Sequence, residues 1–267
     1  MRINPKVSER ISLGLKKFHS ILDSAKARDV TEADTVTIIK DMLSEVFGYD
    51  KYSEITSEYA IRGTYCDLAI KLNNKVSLLI EAKAIGIDLK ENHVKQAIDY
   101  AANLGIDWVV LTNGAIWNVY HVIFSKPIEK ELVISFNLLE LKPRNQKDLE
   151  LIYLLCKEGW MKSALSDFKS QQEALSRYSI GALLQSSNVI DVLRRELKRI
   201  SPEIKIENDA IKDVLINEVI KREVLEGDKA IQAHKDINKA SKNLLRKINS
   251  IEKNAESASK QSEPPTT

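Results

Sequence analysis

Asp67, Glu81 and Lys83 are the residues of this chain whose types and spacing could do chemistry. They lie within YCDLAIKLNNKVSLLIEAK, residues 65–83, at positions that a sheet would rather fill with apolar side chains. Two arms rich in Leu, Ile and Val, residues 65–72 and 76–83, flank Asn73-Asn74-Lys75, which suits a three-residue hairpin loop. Alternation along the second arm turns Glu81 and Lys83 to one face and Ile80 and Ala82 to the other. Pairing around the loop sets Asp67 across from Glu81. Two carboxylates beside a lysine on one sheet face repel each other, or suffer desolvation, unless a cation lies between them. Oxygen ligands on a rigid sheet suit a hard ion such as Mg²⁺, which keeps several waters and takes one or two carboxylates together with substrate phosphate. That is the outline of a phosphodiester-cleavage site. A solvated strand edge or a plain ion pair gives the same short D…ExK spacing, so the surrounding elements must decide.

Those elements read as follows. Apolar residues at Val7, Ile11, Leu15, Phe18, Ile21 and Leu22 predict an amphipathic helix over 6–27. A second helix starts near Thr31, an N-cap with Asp34 three residues on, and runs to Gly48. Glu32 and Asp34 occupy its first turn, where acids are favoured by the helix dipole alone. Residues 54–61 predict a strand, with Arg62-Gly63-Thr64 turning the chain into the hairpin. Beyond it, a helix over about 93–104 stacks Gln96 and Tyr100, four apart, on one face. Such a pair could hydrogen-bond a phosphate or orient the carboxylates, although both are common surface residues of helices. His93 has no second histidine at ligand spacing and is set aside. A strand at 108–111, the hairpin signal Asn113-Gly114, a return over 116–122 and a strand at 131–137 complete a sheet.

Asp67, thirteen residues, Glu81-Ala82-Lys83, then Gln96 and Tyr100 on the following helix: this order resembles the PD-(D/E)XK nuclease superfamily. More narrowly it resembles the N-terminal nuclease domain of type I restriction enzyme R subunits, over roughly Thr31 to Val122 with Leu111-Thr112-Asn113-Gly114 included. The proline of the motif is replaced by Cys66. The resemblance implies an α/β fold, a mixed sheet flanked by helices, followed here by an all-helical region. It also implies metal-dependent cleavage of DNA, with Asp67, Glu81 and the Ala82 carbonyl as ligands of Mg²⁺, for which Mn²⁺ may substitute. Glu32 would assist the metal or its water, Lys83 would position or deprotonate the attacking water, and Gln96 and Tyr100 would orient the phosphate backbone. No GxxxxGK[ST] loop is present, so the ATP-driven translocase of the R subunits is missing from this chain, as are HExxH and GxSxG. The competing expectation is a non-catalytic module that keeps the fold to bind nucleic acid or protein. RNA as substrate stays open.

The 267 residues are 43% apolar and 29% charged, with a net charge of +2, too small to announce a nucleic-acid partner by itself. Cys66 and Cys156 form no CxxC pair, which argues against structural zinc or a disulfide framework. No apolar run suits a signal peptide or membrane helix, and a cytoplasmic location with no membrane partner is expected. The expected division is a nuclease-like domain over 1–142, ending at Lys142-Pro143-Arg144, and a helical domain over 143–226 with helices at 146–157, 161–173, 177–199 and 208–225. A basic amphipathic helix over 227–256 and a disordered tail over 257–267 follow. In that helix Ile237, Leu244 and Ile251 repeat every seven residues beside Lys235, Lys239, Lys242, Arg246 and Lys247. The pattern fits a short coiled coil joining a homodimer, a basic helix along DNA, or a solvated helix. A nuclease without a translocase would act alone or take its targeting from a partner protein.

Overall fold

The computed structural model describes residues 3–61 and 64–260. Arg62 and Gly63 of the expected turn, and residues 261–267 of the expected tail, lie outside the described residues. The chain divides into two compact units, Met1–Asp167 and Phe168–Thr267.

The first unit opens with α1 (Pro5–Ala27) and α2 (Glu32–Glu45). The side chain of Asn4 caps α1, with Pro5 at the start, where its missing N–H costs no helical bond. Thr31 and Asp34 form the expected capping box on α2: the Thr31 hydroxyl accepts from the Asp34 N–H, and Asp34 accepts from the Thr31 N–H. Gly14 of α1 lies where any Cβ would come within 2.7 Å of Val46, so glycine there lets the two helices approach.

Six strands follow, β1 (Ile55–Ile61), β2 (Thr64–Leu72), β3 (Lys75–Ala82), β4 (Trp108–Thr112), β5 (Ile116–Ile123) and β6 (Glu129–Asn137), in that order across one sheet. All neighbours are antiparallel except β3 and β4, which α3 (Glu91–Leu104) connects as a crossover. One sheet face packs on α3: Ala69, Leu79, Val109, Leu111, Tyr120 and Val122 are buried with Val94, Ala97, Ile98 and Ala101 of the helix. Trp117 alternates with Tyr120 along β5 and so takes the opposite face, where Phe47, just past α2, lies 5.0 Å away ring to ring. The sheet is thus sandwiched, and its strands are apolar on both faces for that reason.

The central hairpin corrects one expectation. Leu72 pairs with Lys75, so the loop is two residues, Asn73 and Asn74, rather than three. Both adopt left-handed backbone, φ 51° and 61°, which matches the twist of a two-residue hairpin turn. The register then shifts between Ile70 and Lys71, and Ser77 is the extra residue on β3. That bulge restores the pairing expected for the longer loop, Ala69 with Leu79 and Leu68 with Ile80. Two differences cancel, and Asp67 arrives beside Glu81 as the sequence suggested.

After β6 come α4 (Gln146–Tyr153), α5 (Lys157–Met161) and α6 (Ala164–Ala174), and the division between the two units falls inside α6. The helices beyond Lys142-Pro143-Arg144 therefore begin inside the first unit. Arg10 of α1 joins them: its guanidinium makes two 2.7 Å bonds to Glu158 and also donates to the Val46 and Phe47 carbonyls at the end of α2. Glu158 pairing holds Arg10 above its ordinary pKa, and Arg10 holds Glu158 below its own. Cys66 and Cys156 are free and buried, and burial pushes each thiol up to about 12, so both are inert packing residues.

The second unit holds α7 (Arg177–Leu184), α8 (Ser187–Ile200), α9 (Asn208–Val214) running into a π-helical turn Leu215–Val219, α10 (Arg222–Leu225) and α11 (Asp228–Lys260). The single helix expected over 177–199 is two, broken at Gln185 and Ser186. Ile190, Ile211 and Leu215 form a small core, and α11 packs along α7. Helix continues through Lys260, four residues into the expected tail. The side chains of Leu244, Leu245, Lys247, Ile248 and Ile251, on which the coiled-coil expectation rests, lie outside the described residues. Among the described residues no helix is long and apolar enough to cross a membrane.

Candidate active site

At the C-terminal end of β3 the pairing with β2 stops after Leu68–Ile80. The Asp67 carboxylate takes over there, accepting the Ala82 N–H at 2.7 Å, so a side chain completes what the ladder leaves open. Opposite Asp67 on β1 stands Glu58, between the pairs Ser57–Leu68 and Tyr59–Cys66, with φ 48°. The thiol of Cys66 is directed to the Ile80 carbonyl at 3.3 Å. Cys66 and Asp67 thus reach β3 through their side chains beyond the last β2–β3 pair, while β2 stays paired to β1 as far as Thr64–Ile61.

The Glu81 side chain is more sheltered than those of Lys83 and Glu32, at 12% exposed against 21% and 49%. Its neighbours Leu79 and Leu111 belong to the cluster under α3, which places Glu81 on that face. Lys83 Nζ lies 2.8 Å from Glu81 Oε1, 2.7 Å from the Ala82 carbonyl and 3.7 Å from Glu32 Oε2, the last contributed by the first turn of α2. Burial raises the Glu81 pKa above its ordinary 4.5; the bond to Lys83 opposes this, and the charges of Asp67 and Glu32 add to it. For Lys83, burial disfavours the charge, but the bond to Glu81 and the field of Glu81, Glu32 and Asp67 outweigh it, and its pKa lies above 10.5. Lys83 is therefore an ammonium at neutral pH. Three carboxylates around one ammonium leave a formal excess of two negative charges at this end of β3.

The backbone that follows the site is fixed from three sides. The Lys83 N–H donates to the Thr112 carbonyl at 2.9 Å. Thr35 of α2 accepts the Ile85 N–H at 3.2 Å. Asn113, 4% exposed, donates to the carbonyls of Ile85 and Ile87 and accepts the Ile116 N–H at 2.8 Å. Sequence reasoning treated Asn113 only as a turn residue and overlooked Thr35; polar residues amid apolar runs were the available signal.

Asp67, Glu81, Ala82, Lys83 and Glu32 are thus brought together. Gln96 and Tyr100 are not bonded to them: the Gln96 amide donates to the Tyr100 hydroxyl, and Tyr100 is buried with Leu79 and Leu111 in the cluster that underlies Glu81. Among the described residues no three of His, Cys, Asp and Glu form a ready metal cage. The donor set is two carboxylates and a carbonyl, and the Lys83 ammonium already rests on two of the three, Glu81 and Ala82. A cation thus fits the oxygens that Glu81 and Ala82 present.

Sheet, crossover helix and acidic site with its lysine are consistent with a PD-(D/E)XK nuclease-like domain. Residues 37–132 match the family model of the type I restriction enzyme R protein N terminus (HSDR_N). The match contains Asp67, Glu81, Lys83, Gln96 and Tyr100, whereas Glu32 falls before it. No curated protein and no solved structure matches the chain.

Proposed function

We propose that the chain is a metal-dependent endonuclease that hydrolyses phosphodiester bonds of DNA. The observation that carries this reading is the convergence of Asp67, Glu81 and Lys83 at one strand end inside the family-matched segment. Asp67, Glu81 and the Ala82 carbonyl are the groups that would hold Mg²⁺ or Mn²⁺, with Glu32 supporting from α2. Such an ion polarises a phosphate and lowers the pKa of bound water. The excess of two negative charges supports a divalent ion over a monovalent one.

Lys83 keeps its proton, so its part is to donate hydrogen bonds to the attacking water and the phosphate oxygens, not to serve as the base. As the water oxygen bonds to phosphorus, giving its proton up to solvent, and the bond to the leaving sugar oxygen breaks, negative charge grows on the phosphate and leaving oxygens, and the ammonium would offset it. Tyr100 acts through packing, buried in the cluster that holds Leu79 and Leu111, while Gln96 is exposed on the same helix and would orient a passing phosphate backbone. Contacts of this kind read phosphates rather than bases. The helices of the second unit, the cations of α11 included, are the part of the chain left to supply DNA contact, dimerisation or a docking site for a targeting partner.

A non-catalytic binding module is the second reading, favoured by the way Lys83 by itself satisfies Glu81 and Ala82. Cleavage assays decide between the two. Supercoiled plasmid, linear duplex, single-stranded DNA and RNA are incubated with Mg²⁺ or Mn²⁺ and the wild type or Asp67→Ala, Glu81→Ala and Lys83→Ala. Metal-dependent nicking lost in all three variants supports the enzyme. Undiminished nicking in the variants, or none by the wild type on any substrate, refutes it.

A further inference from the structure

The contacts of Lys83 carry an inference that rests on the metal-site reading and goes beyond it. A lysine beside a nuclease site is expected to face solvent and substrate, yet here the ammonium is turned inward, 2.7 Å from the Ala82 carbonyl and 2.8 Å from Glu81 Oε1. Those are two of the three oxygen donors a divalent ion would need. Glu32 Oε2, at 3.7 Å, completes a partial cage around Nζ. A hard cation and an ammonium both draw on carboxylate and carbonyl oxygens, and the lone pairs directed at one are unavailable to the other. We propose that Lys83 is the resident cation of this site and an internal competitor of the divalent metal, displaced from Glu81 and the Ala82 carbonyl when the metal enters. Displacement has a second consequence: the four-carbon stem swings the released ammonium outward, so the residue that guards the empty site becomes the donor that meets phosphate. The site is then armed by metal in two ways, through the ion and through the lysine it frees.

The geometry favours an exchange over a shared arrangement. Like charges at this spacing repel, and the ammonium already holds both Glu81 Oε1 and the Ala82 carbonyl within an enclosed site. Glu32, half exposed on the first turn of α2 and 3.7 Å from Nζ, is the carboxylate near which the displaced ammonium can stay as it turns outward.

The test is titration of MnCl₂ into the full chain by calorimetry at pH 8 without DNA, comparing wild type with Lys83→Met and, as a control, Glu81→Gln. Removing the competitor tightens Mn²⁺ binding in Lys83→Met by about tenfold, the factor that loss of ~1.4 kcal/mol of competing hydrogen bonding gives. Equal or weaker binding in Lys83→Met overturns the inference and leaves the metal site standing. Binding by neither wild type nor Lys83→Met overturns the metal site itself. Acylation of wild-type lysines by acetic anhydride, read by mass spectrometry, needs no variant: Lys83 modification speeds up severalfold on adding Mn²⁺, while Lys51 and Lys17, held in ion pairs far along the chain, keep their rates. An unchanged Lys83 rate at saturating Mn²⁺ refutes displacement.

Discussion

Asn113→Ala tests whether the site depends on the bracing behind it. Asn113 is 4% exposed and makes three side-chain bonds, donating to Ile85 O at 3.3 Å and Ile87 O at 3.0 Å and accepting from Ile116 N at 2.8 Å. Water replaces the bond to Ile87, which is 45% exposed, so that loss costs little. Ile85 is 3% exposed and its carbonyl has no such substitute, and the N–H of Ile116, a half-buried residue, loses its acceptor as well. Two stranded groups at about 1–2 kcal/mol each give a loss of about 2–4 kcal/mol, or a drop of about 5–15 °C in Tm for a chain of this size. Urea unfolding followed by circular dichroism measures it. Because the loosened segment follows Lys83 directly, Mn²⁺ affinity falls as well. Asn113→Asp separates donor from acceptor: it keeps the bond to Ile116 but sets a carboxylate against two carbonyls, so at neutral pH it is less stable than Asn113→Ala and recovers on acidification. A cost under about 0.5 kcal/mol for Asn113→Ala, the scale of an ordinary surface substitution, contradicts the bracing argument.

Three further expectations follow from the charged groups. Glu81 has a folded pKa above its ordinary 4.5, so between those two values the folded state holds a proton the unfolded state has lost, and stability of the metal-free protein falls as pH rises through that window. Glu81→Gln abolishes this slope, and a pH series of urea midpoints on both proteins would show it. Mn²⁺ affinity rises with pH over the same window, since Glu81 must shed its proton to bind, and calorimetry at stepped pH that finds no such rise removes Glu81 from the ligand set. For the Arg10–Glu158 pair the sign is opposite: Glu158 lies below its ordinary 4.5, and the pair's stabilisation is present above 4.5 and lost as pH falls through the folded value. Arg10→Met costs about 1–2 kcal/mol near neutral pH, discounted because both side chains are partly exposed, and a urea midpoint equal to wild type refutes that role.

Much of the first unit was legible because its signals are local. Thr31 and Asp34 announce α2 through a box of three bonds that needs no tertiary partner, and alternation with an Asn-Asn turn announces the hairpin. Its loop length was misjudged, since nothing in Ser77 marks it as the bulged residue; the bulge follows from fitting a two-residue turn to a register set by burial. The break at Gln185 and Ser186 was invisible for a related reason: apolar spacing continues from α7 into α8, and serine is tolerated in helix interiors as well as at caps. At the site, the residue types were readable and their connections were not. Spacing could not show Asp67 accepting the Ala82 N–H, or Lys83 turned onto the donors of its own strand, because both depend on where β2 and β3 part. Thr35 and Asn113 act across 50 and 28 residues of sequence, a separation that no local pattern reports.

The central claim is that the end of β3 is a metal-dependent nuclease site, and the most direct measurement is the initial rate of supercoiled plasmid nicking in Mg²⁺ by wild type and Asp67→Asn, with matched circular dichroism spectra. The account predicts nicking that EDTA stops and that Asp67→Asn, folded as wild type, lacks by at least about a hundredfold, the scale on which one group holding developing charge is felt. Nicking by Asp67→Asn at the wild-type rate would contradict it.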